Sequence, residues 1–134
     1  MMIVDTNIIA YRAIPGPRSE DARRLALRDS VWVAPPLWRS VFRNVLAGFI
    51  RRRTLTLPEA TEMAAMAGTF LTGGEPAVAD LQVLELVARS SCTSYDCEFV
   101  ALAIMLDVRL VTEDRELLKA FPQRCRSLEE ILAA

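Results

Sequence analysis

Two stretches, Met2-Ile3-Val4-Asp5-Thr6-Asn7 and Arg109-Leu110-Val111-Thr112-Glu113-Asp114, share one plan: a short apolar run that gives way to a hydroxyl residue and an acid. Apolar runs this short, rich in β-branched residues and closed by polar ones, read as buried strands. Outward from the first, Thr6 to about Ala13 reads as a helix and Pro15-Gly16-Pro17 as a turn. Ser19 is placed to cap a helix running to Arg28, and Val31 to Ala34 is a second buried-type strand. Pro35 and Pro36 open a longer helix to about Arg51, and Pro58 starts another that should stop near Gly73 and Gly74. Residues 76–90 and 93–106 have helical spacing, the former through Val83, Leu86 and Val87. After the strand Arg109 to Thr112 come a helix from Asp114 to about Ala120, a short edge strand at Arg124 to Arg126, and a last helical turn at Leu128 to Leu132. Strands separated by helices, with no two-residue hairpin signal, predict an α/β fold with a short central parallel sheet. In such sheets, sites form beyond the carboxyl ends of the strands.

The chain has 134 residues, 52% of them apolar and 25% charged, which suits one core and predicts a single domain over residues 1–134. No apolar run approaches the ~20 residues of a membrane helix, so no membrane partner and a cytoplasmic location are expected. Cys92, Cys97 and Cys125 form no CxxC pair and read as plain core thiols. There is no histidine, which excludes histidine-based triads and metal sites and leaves carboxylates, hydroxyls and arginine to carry any chemistry. The net charge of −1 hides an asymmetry. Residues 1–54 hold ten arginines against four acids, and residues 55–134 hold six bases against thirteen acids.

Three acids fall on the predicted carboxyl edge: Asp5 after the first strand, Asp114 after the strand 109–112, and Asp96 in the first turn of the helix after Thr93. Each has an ordinary structural reading. Asp5 and Asp114 suit N-caps, and Thr93-Ser94-Tyr95-Asp96 fits a capping box. Taken together they have a second reading, because three anions roughly 4 Å apart repel by up to ~4 kcal/mol per pair at an effective dielectric near 20. A divalent cation relieves that repulsion, and Mg²⁺ or Mn²⁺ takes hard oxygen ligands of this kind.

These residues resemble a family. Ile3-Val4-Asp5-Thr6-Asn7 is similar to the opening of PIN domains, Tyr95-Asp96 with Ala101-Leu102-Ala103 to their third acidic motif, and Leu110-Val111-Thr112-Glu113-Asp114 to their closing strand. The resemblance spans nearly the whole chain. It implies a PIN-like three-layer fold, sheet between helices, and a metal-dependent ribonuclease of the VapC type, the toxin component of a type II toxin–antitoxin pair. It also implies Asp5, Asp96 and Asp114 as catalytic and metal-binding residues, Mg²⁺ or Mn²⁺ as cofactor, and RNA, a second copy of the chain and a small antitoxin protein as partners. One position departs from the pattern: Asn44 fits, but the glutamate expected three residues before it is Val41. The usual second acid is therefore missing. That leaves open an alternative, a catalytically weakened or inactive PIN-like module that binds RNA or a protein.

Thr6, Asn7, Ser94 and Thr112 are candidates to orient the carboxylates or bound water, or are simply caps and turn formers. Asn44 is expected to make a structural hydrogen bond near the site. Arg39, Arg43, Arg51, Arg52 and Arg53 are possible RNA-binding residues or a solvated helix face. Trp38, Phe42, Val45 and Phe49 form an apolar stripe, either core or interface. A phosphoryl-accepting domain fits less well. Receivers need an acidic pair and a lysine at the sheet edge, yet the only lysine is Lys119, and the haloacid-dehalogenase-type phosphatases need an aspartate where Asn7 stands.

Overall fold

A computed structural model describes residues 1–134. Its centre is a four-stranded, all-parallel sheet: β1 (Met2–Val4), β2 (Trp32–Val33), β3 (Leu110–Val111) and β4 (Cys125–Arg126), in the order β2-β1-β3-β4. Ile3 lies opposite Val33 on one side and Leu110 on the other, and Val111 lies opposite Val4 and Arg126. Ile3, Val4, Leu110 and Val111 are fully buried, as a parallel sheet covered on both faces requires. Eight helices account for the cover: α1 (Thr6–Ala13), α2 (Ser19–Arg28), α3 (Trp38–Arg51), α4 (Leu57–Phe70), α5 (Asp80–Ala88), α6 (Ser94–Leu106), α7 (Arg115–Ala120) and α8 (Leu128–Ala133). The result is the α/β fold with a short parallel sheet that the strand and helix spacing predicts, in the three-layer arrangement, sheet between helices, that the resemblance implies. None of the helices is long and apolar enough to cross a membrane.

The strand order places the site. The chain leaves β1 for the β2 side of the sheet and later returns to the opposite side as β3, so the order reverses between β1 and β3. Helices connecting to opposite sides of that point leave a crevice beyond the carboxyl ends of the two strands. Asp5 and Thr112 are the residues that end those strands.

Two sequence expectations need correction. Ser19 is the first residue of α2 rather than its cap; its hydroxyl accepts from the Gly16 N–H (2.9 Å) and donates to the Ile14 carbonyl (3.1 Å), pinning the turn instead. The helix expected over residues 76–90 begins only at Asp80, with Ala79 at its N-cap; the chain before it is tied to the sheet edge at Gly73 and Gly74. There the Gly73 N–H donates to the Trp32 carbonyl (2.9 Å), and a Cβ on residue 73 would lie 2.3 Å from Val33 Cγ2. Only glycine lets the chain come that close, and the contact shields the edge of β2. The apolar stripe on α3 divides between core and surface: Trp38 and Phe42 are fully buried, while Val45 and Phe49 are half-buried. All three cysteines are buried free thiols.

Candidate active site

Asp5 is held from two sides by groups that its neighbours in sequence and in the sheet supply. Its backbone N–H donates to the Val111 carbonyl (2.9 Å), which fixes it next to the end of β3. Its Oδ1 accepts from the Thr6 N–H (2.7 Å) and its Oδ2 from the Thr112 hydroxyl (2.6 Å). Thr112 is itself fully buried, and its Oγ1 accepts from the Asp114 N–H (3.0 Å). The Thr-x-Asp of residues 112–114 is thus a bridge: one hydroxyl orients the first acid and positions the backbone of the last. Burial pushes the Asp5 carboxyl up to about 6; the bonds from Thr112 and Thr6 hold it down in part, and Asp96 and Asp114 push it further up.

Asp96 and Asp114 complete an acidic group. Burial raises the Asp96 carboxyl first, repulsion from Asp114 next, and Glu116 adds to it against a lowering by the Thr93 hydroxyl. The capping-box reading of Asp96 holds only by half. Thr93 Oγ1 accepts from the Asp96 N–H (3.1 Å), but Asp96 does not return the bond, whereas Thr56/Glu59 and Ser127/Glu130 close both halves of theirs. Its carboxylate thus makes no bond to the cap's backbone N–H, although the Thr93 hydroxyl acts on it. Asp114 does cap α7, through Oδ1 to the N–H groups of Glu116 (2.9 Å) and Leu117 (3.1 Å), which leaves Oδ2 outside the cap. Glu116 is a fourth member that the sequence reading passed over. An acid in the first turn of a helix reads as a complement to the helix dipole, and the Asp114-x-Glu116 spacing was the available signal.

None of Asp5, Asp96, Asp114 and Glu116 has an arginine, lysine or amino-terminal partner, although seven other ion pairs form in the chain. The thiols beneath add no positive charge. Cys125, next to Asp5, is pushed up to about 12, by burial first and Asp5 second, and stays neutral. Burying carboxylates without a counter-charge is costly, and the cost falls on protonation or on a bound cation.

The donors fit a hard divalent ion in kind. All are oxygens, and the Thr6 hydroxyl beside Asp5 is buried with no hydrogen-bond partner. They do not fit it in spacing: no three Asp, Glu, Cys or His side chains come close enough to share one ion. The separation of roughly 4 Å that the sequence reading assumed is therefore not found.

The remaining candidates separate. Asn7, half-buried, lines a neighbouring cleft with its Oδ1 unpartnered, and Ser94 is exposed at the start of α6. Asn44 is exposed and makes no side-chain hydrogen bond, which corrects its expected structural role. Val41 lies one turn before Val45, whose side chain meets the same cleft as Asn7, so the face of α3 that carries Val41 is turned toward α1. Glu98, not interchangeable with Asp96 from its spacing, is raised by burial alone, with no contribution from the acidic group. Glu113 points away: its Oε1 accepts from the Leu128 N–H (2.7 Å) and anchors α8. Among the arginines, Arg39 has its fork closed on Glu75, with Nε to Oε1 at 2.7 Å and Nη2 to Oε2 at 2.9 Å, and is thereby withdrawn from phosphate binding. Arg43, Arg51, Arg52 and Arg53 are exposed and form no ion pair.

No family model matches the chain, and neither does any curated protein.

Proposed function

We propose that this chain is a PIN-type endoribonuclease that depends on Mg²⁺ or Mn²⁺ and hydrolyses RNA phosphodiester bonds, as the toxin component of a type II toxin–antitoxin pair. The observation that carries this reading is the buried Asp5, with the half-buried Asp96 and Asp114 near it and no cationic partner for any of them, at the point where the strand order reverses. Asp5, Asp96 and Asp114 are the residues that would hold an ion there, and such an ion would supply stabilisation of charge on the phosphate and a lowered pKa for water. The chain's part is preorganisation. Asp5 is locked by Thr6 and Thr112, Asp114 is set by the same Thr112 hydroxyl, and Asp96 brings a carboxylate not bonded to its cap's backbone from the start of α6. The exposed arginines at the end of α3 supply charge for RNA phosphates. Partnership with a second copy and a small antitoxin rests on the family resemblance, since Trp38 and Phe42 are spent inside the core; Leu81 and Leu84 on α5 are among the apolar side chains exposed for such contacts, with Leu27, Leu57 and Tyr95 elsewhere.

The pure protein should cleave RNA with Mg²⁺ or Mn²⁺ and stop when EDTA is added. Asp5→Asn and Asp96→Asn variants that cut as fast as the parent would refute the site. A second reading, the weakened or inactive PIN-like module, is favoured by Val41 at the expected acidic position and by the absence of three converging ligands. It is distinguished by RNA or protein binding without metal-dependent cleavage.

A further inference from the structure

The acids around Asp5 lie near enough to feel one another's charge, yet no three of them come close enough to share one ion. An octahedral Mg²⁺ or Mn²⁺ takes its oxygens about 2 Å from the metal and hence about 3 Å from one another. We propose that the chain by itself holds such an ion only weakly, and that an RNA phosphate supplies the ligands the fold withholds, so that metal and RNA bind as a coupled pair. This rests on the ribonuclease reading and deepens it, by naming what completes the site.

Three observations carry it. First, the wide spacing is built into the bonding and is not a choice of side-chain rotamer. Asp5 accepts from the Thr6 N–H with one oxygen (2.7 Å) and from the fully buried Thr112 hydroxyl with the other (2.6 Å), so its carboxylate cannot swing without breaking a bond. Asp114 is fixed twice: its N–H donates to that same hydroxyl (3.0 Å), and its Oδ1 accepts from the Glu116 and Leu117 N–H groups (2.9 and 3.1 Å). Drawing its carboxylate inward would uncap α7. Second, the acids left free to move are Asp96, half-buried and unbonded to its cap's backbone, and Glu116, exposed and without an ion pair, and each repels its neighbours. One ion therefore meets at most a pair of carboxylates, and the buried, unpartnered Thr6 hydroxyl adds a neutral oxygen but no charge. Third, an ion so held keeps most of its octahedral positions for water or for substrate phosphate, whose non-bridging oxygens are hard, charged donors. The exposed Arg51, Arg52 and Arg53, which form no ion pair, favour a polyanion as the source of those oxygens.

The test counts free Mn²⁺ by electron paramagnetic resonance while the parent is titrated, alone and with an excess of a random-sequence 2′-O-methyl RNA dodecamer, the uptake by RNA alone being subtracted. The dodecamer should tighten Mn²⁺ about tenfold or more, and Mn²⁺ should tighten the dodecamer, followed by anisotropy, by the same factor, because coupling between two ligands is reciprocal. In Asp96→Asn, shown by thermal melting to be folded, both factors should fall to about threefold or less, while binding of the dodecamer in EDTA should match the parent. Mn²⁺ that binds the free parent as tightly as it binds the parent with RNA overturns the coupling and leaves the ribonuclease reading in place. Coupling that survives unchanged in Asp96→Asn puts the ion elsewhere and overturns the assignment to these acids. A dodecamer that binds with no uptake of Mn²⁺ in either titration, or does not bind at all, overturns both the coupling and the ribonuclease reading.

Discussion

Replacing Asp5 by Asn should stabilise the metal-free protein at neutral pH, an outcome that follows from the burial of its charge. The carboxyl is raised from 3.8 to about 6, so the folded state holds its proton more tightly than the unfolded chain does. The sign follows directly: its contribution is fully favourable below pH 4 and is lost as pH rises through 6. At 1.36 kcal/mol per pKa unit, ionising Asp5 in the fold costs about 3 kcal/mol at pH 7. Asn avoids that cost. It keeps an oxygen for the Thr6 N–H but exchanges the charged acceptor of the Thr112 hydroxyl for a neutral group, a loss of about 1 kcal/mol. The net gain of about 2 kcal/mol should raise Tm by roughly 6 °C for a domain of this size. Thermal melts in EDTA across pH 4 to 8 should show the advantage of Asp5→Asn growing between pH 4 and 6 and level above. Saturating Mn²⁺ should then reverse the order, since an ion at 100 times its Kd adds about 2.7 kcal/mol to the parent alone. A variant less stable than the parent at pH 7 without metal, or a difference independent of pH, would refute the account of Asp5 as a buried, uncompensated charge.

Thr112→Val removes the hydroxyl that bonds Asp5 and receives the Asp114 N–H; it should cost about 2 to 3 kcal/mol by urea denaturation and move the Asp5 titration, followed by carboxyl NMR, above its parent value. Asp114→Ala should lose about 1 kcal/mol with the α7 cap, whereas Asp114→Asn should retain most of that stability yet weaken Mn²⁺ binding in calorimetry; equal stabilities would deny the cap its role. Val41→Glu should gain more in Tm from Mn²⁺ than the parent does, because its face of α3 is turned toward α1; equal metal-induced shifts in two folded proteins would remove residue 41 from the site.

Local pattern was enough for the elements and for the acids. Short β-branched runs have no stable home other than a buried strand, and the helices between them force those strands to run parallel, so the α/β class and the carboxyl-edge position of Asp5 and Asp114 were legible in residues 2–7 and 109–114. Thr112 was legible only as a candidate, since a Thr before an acid reads equally well as a cap. Its place as the bridge between Asp5 and Asp114 depends on the parallel register of β1 and β3, a pairing across more than a hundred residues that no local signal carries. The same holds for charge. The sequence alone showed which groups are acidic, but whether each finds a partner depended on packing: Arg39 reaches Glu75 thirty-six residues away, while no cation reaches Asp5, Asp96, Asp114 or Glu116. Asn44, expected to bond near the site, went to solvent, and Glu116, which no motif singles out, lies close enough to Asp96 to raise its carboxyl. Side-chain type and spacing set the chemistry available to this protein; the strand order and the burial it imposes decided which of those groups stand together without a counter-charge, because electrostatic cost is a property of the surroundings and not of the residue.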